Sequence, residues 1–124
     1  MPLLSIQILD GHTPQQKKAL LENASQAVVE SLGATLASVR VYLVEVQAQD
    51  SIVGGKIGHP QTRVDVSMIA GRTTEQKEAL VAAMDKAVQA SLGVSGNDIR
   101  VVIRDVPNTD LGLANGQTAR NSGR

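Results

Sequence analysis

Gly11–Leu20 reads GHTPQQKKAL, and at an offset of 60 residues Gly71–Leu80 reads GRTTEQKEAL. The correspondence extends outward without a gap. Between Gly11 and Val46, fourteen positions match their partners in the second half, among them Gln16/Gln76, Lys17/Lys77, Ser31/Ser91, Leu32/Leu92, Gly33/Gly93 and Arg40/Arg100. An ungapped internal repeat of this kind marks a duplicated structural unit. The chain therefore reads as two fused copies, about 2–55 and 62–115.

Each copy reads as strand, helix, strand. Leu4, Ile6 and Ile8 alternate with Ser5 and Gln7, and Val64, Val66 and Met68 alternate with Asp65 and Ser67, the period of a strand with one buried face. Thr13 with Gln16, and Thr73 with Gln76, have capping-box spacing, and Pro14 stands where a first-turn proline loses no hydrogen bond. Leu20, Ala24, Ala27, Val28 and Leu32 form one apolar helical stripe, repeated by Leu80, Met84, Ala87, Val88 and Leu92. Gly33 and Gly93 are placed to end the helices in left-handed caps.

The second strands, VRVYLVEV from Val39 and IRVVIRDV from Ile99, carry apolar residues on both faces. About thirty residues separate the strands of each copy, enough for a parallel crossover through the helix. The expected fold class is α/β: tandem β-α-β units forming a four-stranded mixed sheet with two helices on one face. Val41 and Leu43 would point one way, while Tyr42, Val44 and Val46 point the other, and two helices can cover only one face. Exposed apolar sheet of that extent is rare on monomers, so burial of the second face by oligomerisation is expected. A ferredoxin-like sheet, in which another strand separates the paired strands, has the same element order; the repeat argues for two parallel units instead. The glycine-rich segment 52–62 reads as a flexible connector and 116–124 as a loose polar tail.

Composition narrows the function. Tyr42 is the single aromatic residue, so base stacking lacks its platforms, and twelve basic against twelve acidic residues leave no net charge to track a phosphate backbone. Nucleic acid is not an expected partner. The chain has no cysteine, and its two histidines, His12 and His59, are not at ligand spacing, so no metal site is expected. The glycine pair 54–55 lacks the lysine-serine pair of a phosphate loop. No stretch approaches a membrane span or a signal peptide, and the expected location is cytoplasmic.

Pro2 opens the first strand, followed by ILDG, the TPQQKKAL helix start, and ASVRV leading into the second strand. With AGRTTEQKEAL, NDIRVVI and DVPNTDLGLANG in the second half, nearly the whole chain resembles a fused 4-oxalocrotonate tautomerase of the tautomerase superfamily. That resemblance implies three pairs of β-α-β units around an axis with the sheets facing inward, hence a homotrimer of fused chains. It also implies a cofactor-independent isomerase that moves a proton in an enol or dienol 2-oxo acid, a small carboxylic acid substrate.

In this resemblance Pro2 is the catalytic base and acid, its secondary amine freed by removal of Met1. Burial and neighbouring guanidinium groups disfavour the charged amine and lower its pKa. Thr62 occupies the aligned position in the second half and has only an amide nitrogen. Arg40, Arg72 and Arg100 match the family's carboxylate-binding arginines, whose forked donors suit a 2-oxo acid. His12 stands where the first half would carry the counterpart of Arg72. If that arginine acts across the pair, Arg72 serves Pro2 and His12 faces Thr62; if it acts within its own unit, Pro2 has a histidine partner. Ser51 and Leu111 align with the family's aromatic pocket wall, which is absent here. Two other readings stay open: a non-catalytic oligomeric binding protein on the same fold, and a hydratase or dehalogenase-type relative, which would require a carboxylate to activate water.

Overall fold

Two helices of the same length start and stop by the same local chemistry. The computed structural model describes residues 2–124, with α1 over Pro14–Leu32 and α2 over Thr74–Leu92. Each begins with a complete capping box. The Thr13 and Thr73 hydroxyls accept from the amides of Gln16 and Gln76, whose side-chain carbonyls accept from the threonine amides. Both end at a glycine in the left-handed region, Gly33 at φ 68° and Gly93 at φ 69°, a conformation that costs a residue with a Cβ about 1–2 kcal/mol.

The strands are β1 (Leu3–Leu9), β2 (Arg40–Val46), β3 (Ile52–Val53), β4 (Lys56–Ile57), β5 (Thr62–Ile69) and β6 (Ile99–Val106). The main sheet has the order β2-β1-β5-β6. β1 pairs in parallel with β2 (Leu3 opposite Arg40) and β5 with β6 (Thr62 opposite Ile99), while β1 and β5 join the halves antiparallel (Leu3 opposite Ser67). Direct pairing of β1 with β2 excludes the ferredoxin-like order. The sheet is mixed and four-stranded, with both β-α-β units as the repeat implies.

Leu4, Ile6 and Ile8 of β1 and Val64, Val66 and Met68 of β5 are buried under the stripes of α1 and α2, where Leu20, Val28, Leu80, Met84 and Val88 are fully enclosed. This aliphatic layer is the core, and the edge strands add Val41, Leu43, Val101 and Ile103 to its margin. One ion pair ties helix to edge strand in each half, Lys17–Glu45 at 2.5 Å and Lys77–Asp105 at 2.6 Å. The opposite sheet face is uncovered in the single chain. Tyr42 is 72% exposed and Val44 43%. At its centre Asp65 accepts from Arg63 Nε at 3.0 Å, Arg104 at 3.4 Å and Gln7 at 3.3 Å.

Two segments differ from the sequence expectation. The connector at 52–62 contains the hairpin β3–β4, with Ile52 opposite Ile57 and Val53 opposite Lys56. Gly54 and Gly55, both at positive φ, supply its two-residue turn, the conformation that suits the twist of a tight hairpin. The stretch 116–124 does not trail away as a loose tail. Ala119 is fully buried and its amide donates to Leu111 O; the Arg120 amide donates to Asn108 O, the Ser122 amide to Thr118 O and the Arg124 amide to Ala119 O. One small apolar residue and backbone bonding hold it down, which a polar composition does not reveal.

Candidate active site

β1 and β5 run antiparallel, so the start of β1 lies beside the end of β5. Pro2 immediately precedes β1, and its side chain is fully buried. Its carbonyl accepts from the Arg40 amide at 3.1 Å, which fixes it against the start of β2. Beyond Ile69, the end of β5 leads through Gly71 to Arg72. The Arg72 guanidinium reaches into the other half, donating from Nη1 to Leu32 O in the last turn of α1 at 2.6 Å. A cavity of about 340 Å³ opens there, lined by Ala34, Thr35 and Ser38 from the first half and Ile69, Arg72 and Arg124 from the second.

The other end of the β1–β5 pair repeats this arrangement with altered residues. A cavity of about 270 Å³ is lined by Leu9, Asp10 and His12 from the first half and by Thr62 and Val94 from the second, with Ala48, Gly58, Pro60 and Gln61 around it. Leu9, His12 and Val94 stand exactly 60 residues from Ile69, Arg72 and Ala34. The two cavities are pseudosymmetric mates: Arg72 lies at the Pro2 end, and His12 at the Thr62 end. Removal of Met1 lies outside the described residues.

The remaining arginines divide between the ends. Arg40 begins β2 at the Pro2 end and is exposed, without an ion pair among the described residues, while Glu45 further along β2 is held by Lys17. Arg100 begins β6 at the Thr62 end, donating to Asn97 O at 2.9 Å and Ile99 O at 3.0 Å. It lines an open groove with Lys77, Val81 and Ile99, so one chain does not bring Arg100 to Pro2. Ser51 is buried and accepts from Gln61 Nε2 at 2.5 Å, in a cavity with Leu9, Asp50 and Arg63. Leu111 is also buried, its carbonyl held by Ala119. Arg124 was not singled out by sequence reasoning: it sits in an aperiodic polar stretch and has no counterpart within the repeat.

Two β-α-β units paired through β1 and β5, with a proline ahead of the first strand and an arginine from the other unit at the same end, define the class by fold. Two tautomerase-enzyme sequence profiles match the chain, one over residues 2–59 and one over 49–114. It is 44% identical over 55 residues to a 2-hydroxymuconate tautomerase of Pseudomonas putida, a match spanning 44% of this chain and 87% of that protein. Among solved structures, a fused 4-OT determined as a wild-type symmetric trimer superposes with TM-score 0.96 at 54% identity, covering 98% of this chain and 99% of that one. The protein Pt0534, inactivated by 2-oxo-3-pentynoate, superposes equally well at 38% identity over the same shares. The chain belongs to the tautomerase superfamily and is a fused isomerase of the 4-oxalocrotonate tautomerase type. No helix among the described residues is long and apolar enough to cross a membrane.

Proposed function

We propose that the chain catalyses cofactor-independent tautomerisation of an enol or dienol 2-oxo acid, with Pro2 as both base and acid once Met1 is removed. The observation that carries this reading is that buried Pro2, at the start of β1, lies at the same end of the antiparallel β1–β5 pair as Arg72, which the other half contributes beyond the end of β5. The secondary amine takes the proton from the enol hydroxyl, and the oxygen electrons form the carbonyl. The displaced double-bond electrons then take the same proton back from nitrogen at a carbon further along. Arg72 holds the carboxylate and 2-oxo group through its forked donors. Arg40 is a second carboxylate candidate at the same end, and Arg100 is one only across an interface.

The class of substrate follows the names of the relatives, several of which are 2-hydroxymuconate tautomerases. Tautomerisation is favoured over hydration because no aspartate or glutamate lines the cavity that Arg72 enters to activate water. A homotrimer is supported by the solved fused 4-OT trimers and by the uncovered sheet face carrying Tyr42 and Val44. Such an assembly would bury that face and bring Arg100 of one chain toward another.

The test is intact mass together with ketonisation of 2-hydroxymuconate by wild type and Pro2→Ala. A well-placed acid/base group contributes about 10² to 10⁴ in rate, so a loss in that range is expected from a mature chain beginning at Pro2. A retained methionine in an active enzyme, or a loss below about tenfold, overturns the assignment.

A further inference from the structure

The sheet face turned away from the helices carries a charge cluster that neither the repeat nor the reaction accounts for. Leu4, Ile6 and Ile8 of β1 and Val64, Val66 and Met68 of β5 are buried toward the helices, so Ser5, Gln7, Arg63, Asp65 and Ser67 alternate onto the other side. There Asp65 accepts from Arg63 Nε at 3.0 Å, from Arg104 Nη1 at 3.4 Å and from Gln7 Nε2 at 3.3 Å. The positions that match Arg63, Asp65 and Arg104 in the first unit hold Leu3, Ser5 and Val44, so that unit builds the same strands without these charges.

One carboxylate is shared by two guanidinium groups. The Asp65 side chain is 15% exposed, whereas Arg63 and Arg104 are 49% and 52% exposed. Each arginine commits a single N–H of its five to Asp65, which leaves the rest of both forks for another acceptor. The other acids of the main sheet, Glu45 and Asp105, are held by Lys17 and Lys77 on the helix side. Asp50 shares a hollow with Gln7 and Arg63 but is not within ion-pair distance of either arginine. Each chain therefore presents one uncompensated positive charge at this cluster.

Assembly turns that surplus into a site. β1 and β5 are the middle strands of the order β2-β1-β5-β6. When three sheets face inward around an axis, the middle of each sheet comes nearest the axis and the edges meet the neighbouring chains. The proposed trimer thus gathers three clusters of Arg63, Asp65 and Arg104 into one enclosed space, with three positive charges left over. Charge taken out of water without a partner is costly, so the enclosure favours a counter-ion. A tetrahedral oxyanion matches the symmetry, since three of its oxygens are related by a threefold axis, one to each chain. Guanidinium forks bind such oxygens in pairs.

We propose that the assembled protein binds a tetrahedral oxyanion of the phosphate class on its threefold axis, between the Arg63 and Arg104 side chains of all three chains. The site is separate from Pro2 and Arg72, and it rests on the trimer reading rather than on the chemistry at Pro2.

Calorimetric titration of the mature protein with inorganic phosphate, at an ionic strength held constant with chloride, should saturate at one phosphate per three chains. Arg104→Gln leaves Arg63 and Asp65 as a balanced pair, so the trimer should persist while phosphate affinity falls at least about tenfold. Arg63→Gln leaves Arg104 with Asp65 and should act alike, which keeps the test open if one variant assembles poorly. Phosphate that fills this site should not compete with substrate in the ketonisation assay. One phosphate per chain, displaced by substrate, would place the ion at Arg72 and overturn the proposal, as would heat that never saturates or binding unchanged in both variants. Sedimentation separates the two levels: a species other than a trimer removes the assembly, whereas a trimer that takes up no phosphate removes only the axial site.

Discussion

Arg72→Ala, compared with His12→Ala, tests which half completes the Pro2 site. Arg72 has five N–H donors, and the structure uses one in the 2.6 Å bond to Leu32 O, leaving the rest of the fork for a ligand. A hydrogen bond to a charged group is worth about 1.5–3 kcal/mol. At 1.36 kcal/mol per decade, its loss predicts a fall in kcat/KM of about tenfold to about a hundredfold. The rise should fall mainly on KM, because the carboxylate does not change charge during proton transfer and binding is lost nearly equally from ground and transition states. Removing the bond to Leu32 O also costs about 1 kcal/mol of stability, a fall of a few degrees in Tm. Thermal unfolding should therefore accompany the steady-state ketonisation assay, so that lost binding is read on folded protein. His12→Ala should leave kcat and KM within about twofold, since His12 lies in the Thr62 cavity. Loss of activity in His12→Ala with little change in Arg72→Ala would refute the cross-unit geometry and show that each half furnishes its own arginine position.

Three further perturbations probe the scaffold. Tyr42→Glu places a carboxylate on the uncovered face, where Tyr42 is 72% exposed in the isolated chain; analytical ultracentrifugation should show a shift toward single chains, and an unchanged assembly would mean that this face is not the interface. Asp65→Ala removes the one carboxylate shared by Arg63 and Arg104, so assembly should weaken, more at low salt than at high salt. The opposite salt trend would refute repulsion between those arginines as the cause. Thr73→Ala deletes the hydroxyl that caps α2 and should lower unfolding stability by about 1 kcal/mol in a denaturant titration, while a change under a few tenths would mean that water replaces the cap.

The architecture was legible because its signals are local and occur twice. The threonine-glutamine caps, the glycines ending both helices and the alternation of Leu4, Ile6 and Ile8 each act within a few residues, and the 60-residue repeat confirms every one against its copy. The repeat pairs β1 with β2 and β5 with β6 but does not decide which strands meet at the centre, where the structure places β1 and β5. The hairpin at Ile52–Ile57 and the fold-back of 116–124 were less legible. Both depend on backbone bonding in glycine-rich chain without a periodic apolar pattern. At the site, Pro2 and Arg72 carried visible signals, one by position and one by alignment. Their location at the same end of the sheet depends on the antiparallel register of β1 with β5, a nonlocal pairing that no single segment encodes. Arg124 reaches the cavity through the turn at Gly123 and the anchor at Ala119, so its placement had no counterpart in the repeat from which to infer it.

The covalent joint between β4 and β5 also sets a stoichiometry. Thr62 begins the second unit in the geometry that Pro2 has in the first, but its nitrogen is committed to the peptide bond with Gln61. However the residue at 62 is varied, an unbroken polypeptide from which Met1 has been removed offers one terminal secondary amine and two strand starts. An alkylating titrant that consumes that amine should therefore saturate at a single equivalent per polypeptide, and raising the count would take scission of the backbone ahead of β5, not substitution.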